Sequence, residues 1–461
     1  LNNKLTIENI KKVYFIGIEG AGTSALAVIL KNWGMEVSGS DEGDHFYFEN
    51  LNQIGISVNH VFDRENLPID TDLVVYSTAF HPDTNEELQA ALNKGLPTLS
   101  YPEALGLFFN QRLGVAVCGT HGKTTTTALI GEALKAGGAD PTVLVGATVK
   151  DWKGGVLIGQ SDYFILEADE YQNKLQYYNP LGVVLTAIDY DHPDFFSDFV
   201  SYKKIFIDFV AKISRHGFLI ASAEDADVVE VVKLAKPKCA VIFYGRFENS
   251  FEEVELKEEF EKMGMKIETF QTPADLQLQL PGKHNRLNAT AALAVAEKFK
   301  LNRREIIEAL ARFSGVSRRF EELGEHSSGA LIFDDYAHHP AEVRATLKTA
   351  REKFPEQSII CIFHPHTFTR TKALLDDFAK SFESADKVIV LDIYASAREK
   401  QGIVSSADLV KKIKANFKEA DNIHTMEEVF EELNNQLTKN DVVIVMGAGD
   451  IWRLGKRLAE N

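Results

Sequence analysis

Gly114-Val115-Ala116-Val117-Cys118 runs directly into Gly119-Thr120-His121-Gly122-Lys123-Thr124-Thr125, and a helix-like stretch over 126–135 follows. An apolar β-rich run, a glycine turn and a helix in that order predict a loop that holds phosphate. Backbone N–H groups at such a turn point outward, and the positive end of the helix dipole favours an anion. Lys123 would neutralise charge on the outer phosphates of a nucleotide, and the Thr124 hydroxyl would face Mg²⁺. Val117 departs from the full phosphate-loop pattern, which has another glycine there, five residues before Gly122. A tight turn without a ligand is the competing reading, and the flanking strand and helix argue against it.

Outward from this unit, short apolar runs alternate with helix-like stretches, the pattern of an α/β chain. Upstream lie a strand over 12–16, a glycine turn, a helix over 23–33, and runs at 36–39 and 73–76. Downstream runs at 163–166, 182–186, 218–221 and 240–244 precede an alanine-rich helix over 288–298. A third system has strands over 330–333, 358–363, 387–391 and 441–445. The expected organisation is three α/β domains, 1–110, 111–316 and 317–461: Rossmann-like, P-loop-type ATPase and Rossmann-like again. The acidic, poorly patterned segment 246–280 is expected to be irregular β structure.

The chain of 461 residues has 50 Lys+Arg against 67 Asp+Glu, a net charge of −17. That balance argues against nucleic acid or an anionic membrane as partner, so any anionic ligand must be held by local features. Cys118, Cys239 and Cys361 lack metal-ligand spacing and are expected to be reduced core thiols. Residues 1–12 are polar and of mixed charge, and no apolar run approaches a membrane span, so a soluble cytoplasmic protein is expected.

Glu167-Ala168-Asp169-Glu170 and Asp191-His192 each follow an apolar run, at the edge where parallel sheets bind ligands. Glu167 is an oxygen donor suited to Mg²⁺, and neutral His192 can ligate a second ion. Gly17-Ile18-Glu19-Gly20-Ala21-Gly22 can cradle a pyrophosphate, with Asp41 meeting a ribose or base. Its glycine order is not that of a redox dinucleotide site, and the chain already has a separate nucleotide loop. Asp334-Asp335-Tyr336-Ala337-His338-His339-Pro340 and His364-Pro365-His366-Thr367-Phe368-Thr369-Arg370 follow two further strands. Together they would form a cleft wall for a carboxylate and an amine. Gly447 and Gly449 make a strand-to-helix turn.

In order along the chain, GIEGAG (17–22), GTHGKTTTT (119–127), EADE (167–170), DH (191–192), PGKHNRLNATAA (281–292), RRF (318–320), DDYAHHPAE (334–342) and HPHTFTRT (364–371) resemble the Mur ligase family. The resemblance runs from about residue 12 to the end and favours the branch that joins L-alanine to UDP-N-acetylmuramate. It implies that ATP phosphorylates the sugar carboxylate and that the amine displaces phosphate. By the same resemblance Gly119, Thr120, His121, Gly122, Lys123, Thr124 and Thr125 form the ATP phosphate loop, and Thr124, Glu167 and His192 bind Mg²⁺. His284, Asn285 and Asn288 lie on the adenine side, Arg319 faces phosphate, and Asp335 and Tyr336 contact nucleotide. His338 and Arg370 hold the amino acid and acyl group. Gly20, Ala21, Gly22, Ser40 and Asp41 form the UDP-sugar site. Relatives often carry arginine where this chain has Thr367, so the alanine carboxylate is expected to rely on Arg370 and another cation. A ligase for a recycled wall tripeptide, a dinucleotide oxidoreductase and a non-enzymatic ATP switch are the alternatives.

Overall fold

The structure, a computed structural model, describes residues 7–43, 48–247, 250–395, 399, 402–416 and 419–461. It contains three sheets. The first has β1 (Lys12–Ile16), β2 (Glu36–Ser40), β3 (Ser57–Asn59), β4 (Leu73–Tyr76) and β5 (Thr98–Ser100), all parallel, in the order β3-β2-β1-β4-β5. This doubly wound order puts the glycine turn after β1 at the point where strand order reverses, a usual ligand position.

The second sheet comprises β6 (Leu113–Cys118), β7 (Thr142–Val149), β8 (Gly154–Leu157), β9 (Tyr163–Glu167), β10 (Gly182–Leu185), β11 (Phe218–Ser222), β12 (Ala240–Gly245) and β13 (Ile267–Gln271). Its order is β13-β12-β11-β10-β6-β9-β7-β8, with only β7 and β8 pairing antiparallel. β6 lies between β10 and β9, so the loop after it emerges amid the sheet. The third sheet has β14 (Glu321–Glu325), β15 (Leu331–Asp335), β16 (Ser358–Phe363), β17 (Lys387–Val390), β18 (Ala420–Asn422) and β19 (Asp441–Met446), in the order β14-β15-β19-β16-β17-β18. Along β16, Ile359, Cys361 and Phe363 enter one core cluster while Ile360 and Ile362 enter the other. That two-residue alternation is why the strand is apolar throughout: helices cover both faces.

The chain divides into two compact units. One comprises Leu1–Ala187, Ile205–Leu276 and Leu287–Phe313; the other comprises Ile188–Lys204, Gln277–Arg286 and Ser314–Asn461. The cysteines are free and buried, as expected. Among the described residues no helix is long and apolar enough to cross a membrane.

The expectation for 246–280 is corrected. A helix spans Ser250–Lys262 and β13 extends the sheet as a parallel edge strand. The helix has a weak apolar stripe, with Phe260 fully buried, so its Glu- and Lys-rich face hid its period. The alanine-rich helix begins at Lys283, not 288. Asp334 and Asp335 are the last residues of β15 rather than part of the loop after it.

Candidate active site

In the first unit, β6 delivers a loop braced by the end of β10. The Thr120 amide donates to the Ala187 carbonyl at 2.6 Å, and Thr186 Oγ1 donates to the His121 carbonyl at 2.6 Å. Gly119 needs to be glycine twice over: its φ is +127°, and a Cβ there would lie 2.4 Å from Thr186 Oγ1. Gly122, at φ +79°, caps the helix Lys123–Ala136, so Lys123, Thr124 and Thr125 form its first turn. A Cβ on Gly122 would lie 2.9 Å from Asn288 Oδ1, which places Asn288 against the loop.

The Lys123 ammonium donates to the Gly119 carbonyl at 2.5 Å and the Thr120 carbonyl at 3.0 Å, and pairs with Glu170 at 2.9 Å. Burial opposes its charge, but Glu170 and then Asp169 outweigh burial and raise its pKa, so it is a cation. Thr124 Oγ1 donates to Glu167 Oε1 at 2.7 Å, and the Gly146 amide donates to Glu167 Oε2 at 2.5 Å. A hydroxyl and a carboxylate already side by side are hard oxygen donors, the chemistry Mg²⁺ requires. His192, the expected third ligand, is carried by the other unit.

In that second unit, the candidate residues gather at the ends of β15 and β16. Asp335 accepts hydrogen bonds from the amides of Phe320 at 2.7 Å and Ala337 at 2.8 Å. Burial pushes its carboxyl up to about 6, against the opposing pull of Arg319. The Arg318 and Arg319 guanidiniums lie 5.0 and 5.4 Å from the Tyr336 ring centre. His338 Nδ1 is 3.0 Å from the Tyr336 carbonyl. A carbonyl can only accept, so Nδ1 carries the proton and Nε2 keeps its lone pair. Burial lowers the His338 pKa to about 3 despite Glu342, which leaves it neutral. Burial and the adjacent Arg319 also lower that of His284.

Arg370 is only 6% exposed. Its Nε donates to Asp191 Oδ1 at 2.8 Å, and its Nη1 lies 3.3 Å from His366 Nδ1. Burial works against the Asp191 carboxylate, but Arg370 foremost holds it well below the usual carboxylate range. His366, lowered to about 4 chiefly by burial, stacks on Tyr394 with ring centres 5.5 Å apart. Arg318 donates to Asp334 Oδ2 at 2.9 Å and to the Gly449 and Gly447 carbonyls at 2.9 and 2.7 Å. It thereby holds the glycine turn after β19.

Three family models match the chain in succession. "Mur ligase family, catalytic domain" covers residues 12–113, "Mur ligase middle domain" 117–296, and "Mur ligase, glutamate ligase domain" 318–449. The chain belongs to the Mur ligase family. This Mur ligase is 38% identical over 99% of both chains to a UDP-N-acetylmuramate–L-alanine ligase of Caldanaerobacter subterraneus subsp. tengcongensis. It is 39% identical to the Clostridium perfringens protein of the same name, over 97% of each. Among solved structures, the UDP-N-acetylmuramate-alanine ligase MurC of Thermotoga maritima matches with TM-score 0.72 and 25% identity over 97% of this chain and 98% of that one. A murein peptide ligase of Psychrobacter arcticus shares the fold, with TM-score 0.68 and 22% identity over 97% and 98%. The three-domain Mur ligase architecture is thus that of this chain.

In the first sheet of the Mur ligase, the amides of Gly17 and Ile18 donate to the Ser40 carbonyl at 2.8 and 3.0 Å. Asp41 accepts from the amides of Glu19 at 2.6 Å and Glu42 at 2.8 Å, so its carboxylate shapes the turn. The Ser40 hydroxyl donates to buried Glu87, which also accepts from Asn66 and the Asp63 amide. Gly20 caps the helix Ala21–Asn32, and a Cβ on Gly22 would meet the Tyr101 ring at 2.6 Å. A groove of about 500 Å³ is lined by Ala21, Ser24, Asn50, Gly146, Trp152 and Gly155 among others. It thus borders both the glycine turn and the residue whose amide Glu167 holds.

Sequence reasoning passed over Glu170, Asp191, His366, Arg318 and Glu87 as individual actors. Glu170 and Asp191 stood inside recognised motifs, and a buried cation needing a counter-charge was the available signal. Glu87 carried no local signal.

Proposed function

We propose that this Mur ligase joins the carboxylate of UDP-N-acetylmuramate to the amine of L-alanine, with ATP cleaved to ADP and phosphate, in peptidoglycan precursor synthesis. The γ-phosphoryl group passes to a carboxylate oxygen, giving an acyl phosphate. The amine then attacks the acyl carbon, and the tetrahedral adduct expels phosphate. What carries the reading is the end-to-end match to alanine-adding ligases in a chain that carries the glycine turn, Lys123 and Thr124 between strand and helix. No observation favours the tripeptide-adding alternative.

The work left to the protein is positioning and charge stabilisation. Residues 119–125 receive the ATP phosphates, and Lys123 exchanges Glu170 for phosphate oxygens. Thr124, Glu167 and His192 hold Mg²⁺, which when bound supplies positive charge beside the transferring phosphoryl group. His284, Asn285 and Asn288 serve the adenine side, while Arg319, Asp335 and Tyr336 serve the nucleotide from the C-terminal domain. His338 offers a neutral Nε2 acceptor to the incoming amine, and Arg370 grips the amino-acid carboxylate. The turn at Gly20, Ala21 and Gly22, shaped by Ser40 and Asp41, takes the UDP pyrophosphate, and the adjoining groove takes the sugar. The working domains are 1–110, 111–316 and 317–461, and the enzyme acts in the cytoplasm.

Phosphate release from ATP, with UDP-N-acetylmuramate present and a panel of amino acids and the wall tripeptide offered in turn, tests this. Alanine should give the highest kcat/KM. Preference for the tripeptide, or release independent of any amine, would overturn it.

A further inference from the structure

Arg370 is a buried cation of the proposed amino-acid site, and position 367 beside it is a threonine. A guanidinium presents two edges to carboxylates: a side edge containing Nε, and an end edge formed by the two Nη atoms. Asp191 engages Nε at 2.8 Å, and His366 Nδ1 lies 3.3 Å from Nη1. The side chains of Asp191 and Arg370 are each only 7% exposed. They lie 179 positions apart in sequence yet in the same compact unit, because Ile188–Lys204 packs with Ser314–Asn461.

A mobile arginine would have to be ordered on ligand binding, at a cost in side-chain entropy. This one is already fixed at its side edge. A cation this buried also needs a permanent counter-charge, or it would be strongly destabilised whenever the site is empty. The carboxylate that meets that need does so through Nε, while at the end fork Nη1 lies beside the uncharged His366 ring, a neighbour that an incoming carboxylate would replace. Thr367, at φ +67°, precedes the short helix Phe368–Ala373 that carries Arg370.

We propose that Asp191 is a positioning residue for amino-acid selection, holding Arg370 by its side edge so that the end edge receives the carboxylate of alanine. The proposal rests on the reading of Arg370 given above. It assigns Asp191 a task separate from that of its neighbour His192.

The test is steady-state kinetics of the full-length enzyme carrying Asp191→Asn, Asp191→Glu, Arg370→Lys, and Asp191→Asn with Arg370→Lys. Asparagine keeps size and a hydrogen-bond acceptor but removes the charge. The KM for alanine should rise about tenfold in Asp191→Asn, the factor that ~1.4 kcal/mol represents. The KM for ATP and the Mg²⁺ dependence should stay within about twofold. Asp191→Glu should recover part of the loss. The double variant should be no worse than Arg370→Lys alone, because Asp191 acts through Arg370. Thermal melts establish that each variant is folded. If Arg370→Lys raises the alanine KM but folded Asp191→Asn does not, the positioning inference is wrong. If neither moves it, the assignment of Arg370 is wrong as well. A change in Mg²⁺ dependence alone would return Asp191 to a supporting role for His192 and overturn the proposal.

Discussion

Lys123, part-buried, and Arg370, buried, are both cations held by an internal carboxylate, yet they are held in opposite ways. Lys123 bends its flexible stem back onto its own loop, with Glu170 at 2.9 Å and the Gly119 carbonyl at 2.5 Å. Every one of those contacts occupies the same ammonium that phosphate would need. Arg370 is planar, and Asp191 takes its side edge while the end edge faces the His366 ring rather than a carboxylate. The lysine is stowed and the arginine is aimed. A compact ammonium has a single head to share, whereas a guanidinium can be anchored and bind at once. On the proposed roles, a carboxylate partner would compete with substrate at the first site and assist it at the second.

The largest effect should come from Lys123→Ala. Losing the charge that meets the transferring phosphoryl group should lower kcat by roughly 10³-fold or more, with the fold retained in circular dichroism. Near-normal turnover would remove the lysine from the comparison altogether. Arg370→Lys should raise the alanine KM by roughly 10–100-fold with ATP affinity little changed, because an ammonium cannot reproduce the planar fork. Glu167→Gln and His192→Ala should each raise the Mg²⁺ concentration for half-maximal rate several-fold, on the order of tenfold for a lost ligand. Magnesium titrations matching the parent would place the metal elsewhere. The sharpest contrast is also small. Glu170→Gln should tighten ATP binding about threefold by removing a competitor, measurable by calorimetry, the opposite sign to the effect of Asp191→Asn on alanine.

Acid stability separates the two regions further. Partial burial first, with Arg370 adding to it, lowers the folded pKa of His338 to about 3 and of His366 to about 4, below the ordinary histidine value. The unfolded chain therefore binds their protons first. Their contribution is complete above about pH 6.5 and falls as pH drops toward 4, by about 1.4 kcal/mol per pH unit for each. Melting temperature should decline over that window, and His366→Asn should flatten the decline. An unchanged slope would mean His366 is protonated in the folded state.

The phosphate loop and its lysine were legible in the sequence because strand, glycine turn, Lys123 and helix lie within a single run, whereas the Glu170 that stows the lysine is 47 positions away. The aimed arginine was visible as a residue but not as a device, since its anchor lies 179 positions away. The α/β alternation was equally plain, because strands buried on both faces are unbroken apolar runs, as in β6. Elements that escaped had weaker burial. β7 alternates from buried to exposed along its length, and β13 is a half-exposed edge strand. Ser40 read as a ligand contact by position, whereas its hydroxyl turns inward to Glu87. The direction a side chain takes at a strand end depends on neighbours that no local pattern contains.

β19, the last strand of the third sheet along the chain, lies between β15 and β16. It pairs with both, and Arg318 clasps the turn that follows it. A chain emerging from the ribosome therefore cannot assemble this sheet in order. Until residues 441–446 are made, β15 and β16 hold open a gap lined with unpaired backbone groups and apolar side chains. The C-terminal domain is thus completed from its middle, by the strand of its sheet that is made after all the others. A nascent chain stalled or cut before Asp441 would be a sticky fragment, an early target for chaperones and proteases.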